Sequence, residues 1–71
     1  MFPESFGSIL RTLRIKSRLS QERLAQLSDM DRTYISLLER GLRQPSLGSL
    51  FALSKVLGVA PHQIVKMVEE H

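Results

Sequence analysis

One alanine constrains this chain more than any other residue. Between Gln21 and Arg40 the apolar side chains recur at helical spacing on two short segments, and Ala25 falls where those segments have to cross. At such a crossing the backbones come close, and a bulky side chain would hold them apart. A small residue there selects two roughly perpendicular helices with a short turn between them. Leu24, Met30, Ile35 and Leu38 are placed to fill the small core around Ala25. Asp29-Met30-Asp31 is the turn. Its first position favours positive φ, a region that Asp tolerates better than most residues.

The rest of the chain carries the same periodicity and no clean two-residue alternation, so no strands are expected. Phe6, Ile9, Leu10 and Leu13 predict a first helix from about Glu4 to Lys16, with Pro3 as its start signal. Ser20 is a natural N-cap for a second helix to about Ser28, and Glu22 in its first turn suits the helix dipole. Asp31 is placed to cap a third helix, Arg32 to Arg40, by accepting a backbone N–H, and Gly41 to end it in the left-handed conformation. Ser46 caps a fourth helix with Leu47, Leu50, Leu53 and Leu57 inward, and Gly58 closes it. Pro61 opens a fifth with Ile64, Val65, Met67 and Val68. The expected fold is all-α, a compact five-helix bundle forming a single domain over residues 1–71.

Seventy-one residues bury a thin core and leave no room for a second domain. With no cysteine there is neither a disulfide framework nor a thiolate zinc site, so dense helix packing or dimerisation has to help. No apolar run is long enough to span a bilayer and no signal-peptide pattern is present, which leads to the expectation of a cytoplasmic protein with no membrane role. His62 and His71 are nine residues apart and lack the spacing of a zinc pair. A thin bundle also offers no obvious pocket in which Ser, His and Asp could converge. Metal, cofactor, small-molecule ligand and catalysis are therefore not expected.

The net charge of +3 is modest, but its placement is uneven. From Arg11 to Arg43 there are eight basic and four acidic residues, whereas beyond Pro45 Lys55 and Lys66 are balanced by Glu69 and Glu70. A polyanion partner suits the first two thirds, although charge alone fits a solubilising surface equally well.

The helical wheel is more specific. With Ile35 and Leu38 inward, Arg32, Thr33 and Ser36 lie together on the outer face near the start of the third helix, flanked by Leu37 and Arg40. That helix reads as the second of a helix-turn-helix, the geometry that sets side chains against base edges in a DNA major groove. Arg32 can bridge guanine O6 and N7, Thr33 can offer a hydroxyl or a methyl, Ser36 can hydrogen-bond a base edge, and an exposed Leu37 can touch a thymine methyl. For each, the alternative is a solvated face, and for Leu37 burial beneath a loop. Gln21, Tyr34, Arg40, Arg43 and Gln44 flank the helix and are candidate phosphate contacts, which set register without reading sequence. Tyr34 has the alternative of packing its ring on the first helix, and Arg18 and Arg23 are weaker candidates. Arg14 and Glu39, near the ends of the first and third helices, are placed to form a fork-to-fork ion pair that locks the third helix to the scaffold.

At these residues the chain resembles the phage-repressor, or Xre/Cro, family of helix-turn-helix domains. The matching string is Leu19-Ser-Gln-Glu-Arg-Leu-Ala25, Tyr34-Ile-Ser, Leu38-Glu-Arg-Gly41, Pro45-Ser-Leu and Leu57-Gly-Val59, in order over almost the whole chain. Asp31-Arg-Thr-Tyr-Ile-Ser36, followed by Glu39-Arg-Gly41 and Arg43, is similar to the controller proteins of restriction–modification systems, which are small dimeric regulators of their own operon and of the endonuclease gene. Leu37 and Gln44 depart from that pattern. The resemblance implies base contacts at Arg32, Thr33 and Ser36 and backbone contacts at Gln21, Tyr34, Arg43 and Gln44 on double-stranded DNA. Phage repressors, mobile-element regulators and antitoxins share the scaffold, and an antitoxin would have another protein as its main partner.

A single recognition helix reads few base pairs, so a two-fold dimer on a palindromic operator is expected. An exposed patch of Phe51, Val65 and Val68 is the expected homodimer contact, the alternative being that these residues pack inside the monomer.

Overall fold

The apolar periodicity becomes five helices joined by short turns. The computed structural model describes all 71 residues, Met1–His71, as α1 (Phe2–Lys16), α2 (Gln21–Leu27), α3 (Arg32–Glu39), α4 (Leu47–Leu57) and α5 (Pro61–Glu70). Helix α1 starts two residues earlier than its apolar spacing predicts. Pro3 lies in the first turn, where its missing N–H has no intrahelical partner to lose, so the helix runs back to Phe2, whose ring stacks on Phe6 at 6.1 Å.

The four interhelical turns use one device. The chain enters the left-handed region at Arg18, Asp29, Gly41 and Gly58, with φ of 59°, 56°, 73° and 70°. The next N–H then returns to the last turn of the helix just ended: Leu19 to the Arg14 carbonyl (3.2 Å), Met30 to Ala25 (2.8 Å), Leu42 to Leu37 (3.0 Å) and Val59 to Ser54 (3.2 Å). This closure satisfies carbonyls that would otherwise be orphaned at each helix end. Leu19, Met30 and Val59 pack against the core immediately after reversing the chain. Leu42 does not, and stays exposed.

Three local expectations are corrected. Asp31 occupies the N-cap position of α3, but its side chain makes no cap hydrogen bond, in contrast to Ser20 and Ser46, which accept from the N–H groups of Arg23 and Ser49. Leu47 does not face inward and is 71% exposed. It is the first residue of α4, and Ser46, Leu47 and Gly48 are all exposed, so the packed part of the helix begins one turn later. Val68 is half-buried against the core instead of standing on an outer patch. It lies one turn beyond Ile64, the buried anchor of α5, and shares its inward side.

The core consists of Phe6, Ile9 and Leu10 from α1, Leu24 and Ala25 from α2, Ile35 and Leu38 from α3, Leu50, Leu53 and Leu57 from α4, and Ile64 from α5. Helix α3 sits at its centre, packed on both α1 and α2. Two small residues bring it there. Ala25 is 2% exposed at the α2–α3 crossing. Gly7 does the same for α1: a Cβ at this position would collide with the Leu38 carbonyl oxygen and lie 2.7 Å from that of Glu39. A glycine inside a helix costs about 1 kcal/mol relative to alanine, and here the close approach of two backbones requires it. Gly41 adds a third near contact, since a Cβ there would lie 3.0 Å from the Glu4 Cα.

Gly7→Ala is expected to push the end of α3 away from α1. Because the obstructing atoms are backbone, the cost should reach the upper part of the ~1–3 kcal/mol range for overpacking despite the better helix propensity of alanine. Thermal unfolding checks this, and a melting temperature equal to or above that of the parent chain would refute the close contact.

Candidate nucleic-acid interface

The back of α3 is held by an ion pair with almost no access to water. Arg14 Nε donates to Glu39 Oε2 at 2.6 Å and Nη2 to Oε1 at 3.1 Å, with side-chain exposures of 11% and 3%. The same guanidinium donates through Nη1 to the Leu19 carbonyl at 2.9 Å, in the turn after α1. Gln21 Nε2, at the start of α2, donates to Glu39 Oε1 at 3.0 Å. One carboxylate thus receives donors from α1 and α2 while sitting on α3. A carboxylate this deeply buried is tolerated only when its lone pairs are taken up in this way.

With its inner side fixed, α3 turns the opposite side outward. Arg32 and Thr33 are exposed, Ser36 and Leu37 are half-buried, and Arg40, Arg43 and Gln44 are exposed beyond the end of the helix. Asp29, Met30, Asp31, Thr33, Tyr34, Leu37 and Arg43 line an open groove along this face.

Tyr34 is tethered towards α4 at the hydroxyl. Its OH donates to Ser49 Oγ at 3.1 Å, and the Arg43 guanidinium lies 5.5 Å above its ring centroid. Ser49 Oγ also accepts from Ser46 Oγ at 2.9 Å, while its own N–H closes the Ser46 cap at 3.0 Å. The Tyr34, Ser49 and Ser46 hydroxyls thus form one hydrogen-bonded chain that links the flank of α3 to the start of α4. The structure therefore gathers Arg32, Thr33, Ser36 and Leu37 on α3, with Tyr34 and Arg43 beside them. It places Gln21 differently, as a partner of Glu39 with one amide hydrogen left over. The backbone of Arg18 closes α1 while the residue stays exposed, and Arg23 donates to Gln26 Oε1 at 3.2 Å.

Two residues escaped the sequence reading. Ser49 was invisible as an anchor because its partner Tyr34 is fifteen residues away. Gly7 did leave a signal, being a glycine amid a helical pattern with no turn to explain it.

A family model described as helix-turn-helix matches residues 10–64. The chain belongs to the helix-turn-helix family. Among relatives of this helix-turn-helix protein, the control protein C.BamHI of Bacillus amyloliquefaciens is 48% identical over 61 residues, covering 84% of this chain and 75% of its own length. The restriction–modification controller protein C.AhdI from Aeromonas hydrophila superimposes with a TM-score of 0.83 at 43% identity, covering 86% of this chain and 92% of that one. SinR, a master regulator for biofilm formation solved in complex with DNA, superimposes with a TM-score of 0.81 at 30% identity, covering 84% of this chain and 97% of that one.

A second surface of the helix-turn-helix protein lies on α4. Phe51 is 55% exposed and lines a shallow, mainly apolar groove with Ala52, Lys55, Val59 and Pro61. Val65 is exposed on α5 but does not line this groove.

Breaking the buried pair from either side leaves an uncompensated charge. Arg14→Ala and Glu39→Ala should each lower the unfolding free energy by about 3 kcal/mol or more, and the double variant should fall short of their sum by at least about 1 kcal/mol. Denaturant titration of the three variants measures this coupling, with Arg14→Lys as a milder probe. Strictly additive losses would mean that the two side chains do not act together.

Proposed function

We propose that this chain is a sequence-specific, DNA-binding transcriptional regulator, that it reads a palindromic operator as a homodimer, and that it serves as the controller protein of a restriction–modification system. The observation that carries the reading is the two-sidedness of α3. Its inner side is immobilised by Gly7, Ala25 and the Glu39 carboxylate, while Arg32 and Thr33 stand free on its outer side. A rigid helix presenting a guanidinium and a hydroxyl from its first turn suits recognition of base edges in a major groove. Similarity to the control proteins C.BamHI and C.AhdI supports the controller assignment, and similarity to SinR, which has been solved in complex with DNA, supports the partner. The role is regulatory, not enzymatic, and is exercised on DNA in the cytoplasm.

In this reading Arg32, Thr33, Ser36 and Leu37 contact bases. Gln21, Tyr34, Arg40, Arg43 and Gln44 contact the phosphate backbone. Tyr34 and Arg43 form one unit, since the cation sits over the ring and the ring is anchored to Ser49. The homodimer contact centres on Phe51 and its groove on α4 and includes Val65, which is exposed on α5 outside that groove; Val68 is half-buried within the monomer.

Arg32→Ala should lose on the order of 1–3 kcal/mol of discrimination between operator and random DNA, whereas Arg43→Ala should weaken both alike and reduce the salt slope by about one unit. Titration of both variants against both DNAs over a salt series measures this. An unchanged operator-to-random ratio for Arg32→Ala would remove it as a reader.

Phe51→Glu should leave the helical fold intact, because the ring is largely exposed, and should convert a dimer into a monomer with much weaker operator binding. Sedimentation equilibrium provides the measurement. A parent chain that is monomeric at high micromolar concentration would eliminate the homodimer.

A further inference from the structure

Three helices begin with a residue able to cap them, and one of the three withholds its cap. Ser20, Asp31 and Ser46 hold nearly the same extended backbone, with φ of −74°, −78° and −71° and ψ of 164°, 142° and 164°. Both serines close on the third residue ahead at 3.0 Å. Asp31, whose carboxylate is at least as good an N-cap acceptor, makes no such bond. Nor is it paired with a cation, since the one ion pair of the chain is Arg14 with Glu39. It is exposed and lines the groove along α3 beside Thr33 and Leu37, one residue ahead of Arg32.

A free carboxylate is out of place on a surface that faces phosphates. It weakens binding to every DNA sequence alike unless it meets a donor there. The donors a major groove presents are exocyclic amino groups, cytosine N4 and adenine N6, and Asp accepts from such groups. Asp29 shares the groove but sits in the left-handed turn that closes α2, whereas Asp31 directly adjoins the reading helix. We propose that Asp31 is a specificity-determining residue, its uncapped carboxylate accepting a hydrogen bond from the exocyclic amino group of one base in each half-site, next to the base read by Arg32. This rests on the DNA-reading function proposed above.

The test is selection of bound duplexes from a random library by the parent chain, Asp31→Ala and Asp31→Asn, followed by affinities for the selected operator and for random DNA. The parent chain should require cytosine or adenine at one position of each half-site. With Asp31→Ala, preference at that position alone should fall tenfold or more, while affinity for random DNA stays level or rises. Asp31→Asn, which can bridge adenine N6 and N7, should shift the preference towards adenine. Replacing the selected cytosine by pyrimidin-2-one, or the selected adenine by purine, removes only the amino group and identifies which base supplies it. That replacement should weaken the parent chain and leave Asp31→Ala unaffected. The melting temperature of Asp31→Ala should match that of the parent chain, because no cap is lost. If Asp31→Ala selects the same sequence and binds all DNA more tightly by one common factor, the carboxylate is only a repulsive charge and the proposal is overturned. If the parent chain itself selects no sequence, the DNA-reading function fails first and the proposal falls with it.

Discussion

Glu39 is the carboxylate on which the geometry of this small bundle converges. At 3% exposure it has lost nearly all contact with water, and three donated hydrogen bonds from Arg14 and Gln21 stand in its place. Replacing such a group by a well-packed apolar side chain is often neutral or stabilising, so raw stability is a poor account of its presence. Direction is a better one. A fork-shaped guanidinium accepts a carboxylate in a restricted set of orientations. Because the same guanidinium also holds the Leu19 carbonyl, the end of α1, the turn that follows it, the start of α2 and the end of α3 are referred to one another through three side chains, those of Arg14, Gln21 and Glu39.

That reference matters because α3 has no independent means of keeping its shape. Eight residues are too few for a helix to persist in water, so its conformation is supplied by its neighbours. Ala25 and Gly7 let the backbones of α2 and α1 approach it, Ile35 and Leu38 are completely buried beneath it, and Tyr34 ties its flank towards α4 through Ser49. Held on its inner side and along one flank, α3 keeps a single free face. On the proposed function this rigidity sets how sharply a base can be distinguished, since a reader that shifts by an ångström loses the alignment of two parallel hydrogen bonds.

Much of this could be read from the residues because local chemistry and long-range packing agree. Ser20, Ser46, Gly41 and Gly58 end or begin helices by mechanisms confined to a few residues, and the spacing of Leu50, Leu53 and Leu57 states which side of α4 is inward. The failures occur where a residue answers to something distant or absent. Gly7 responds to carbonyls of α3 more than thirty residues ahead, Ser49 to a phenol on another helix, and Val68 to the phase that Ile64 imposes on α5. Leu47 obeys the helical period but stands in a turn with nothing packed over it. Arg18 sits at positive φ without the sequence cue that Gly or Asp would provide, because the turn after α1 is closed by backbone hydrogen bonds, Arg18 N–H to the Ile15 carbonyl and Leu19 N–H to that of Arg14, which demand no particular side chain.

The distribution of charge reinforces the division between holding DNA and choosing it. Basic residues prevail from Arg11 to Arg43, yet Asp29 and Asp31 lie in the groove beside Thr33 and Leu37, two of the proposed readers. Lysines there would raise affinity for every phosphate backbone, and a regulator facing a vast excess of non-operator sites would spend most of its time on the wrong ones. Carboxylates lower that common background, while contacts such as those assigned to Arg32 and Thr33 add only at the right bases. The quantity that governs occupancy is the ratio of operator to background binding, and it rises when the background falls. A net charge of only +3 is then a consistent feature of such a protein: the positive field is sufficient to bring it to DNA and weak enough to let it leave a sequence that offers α3 no partners.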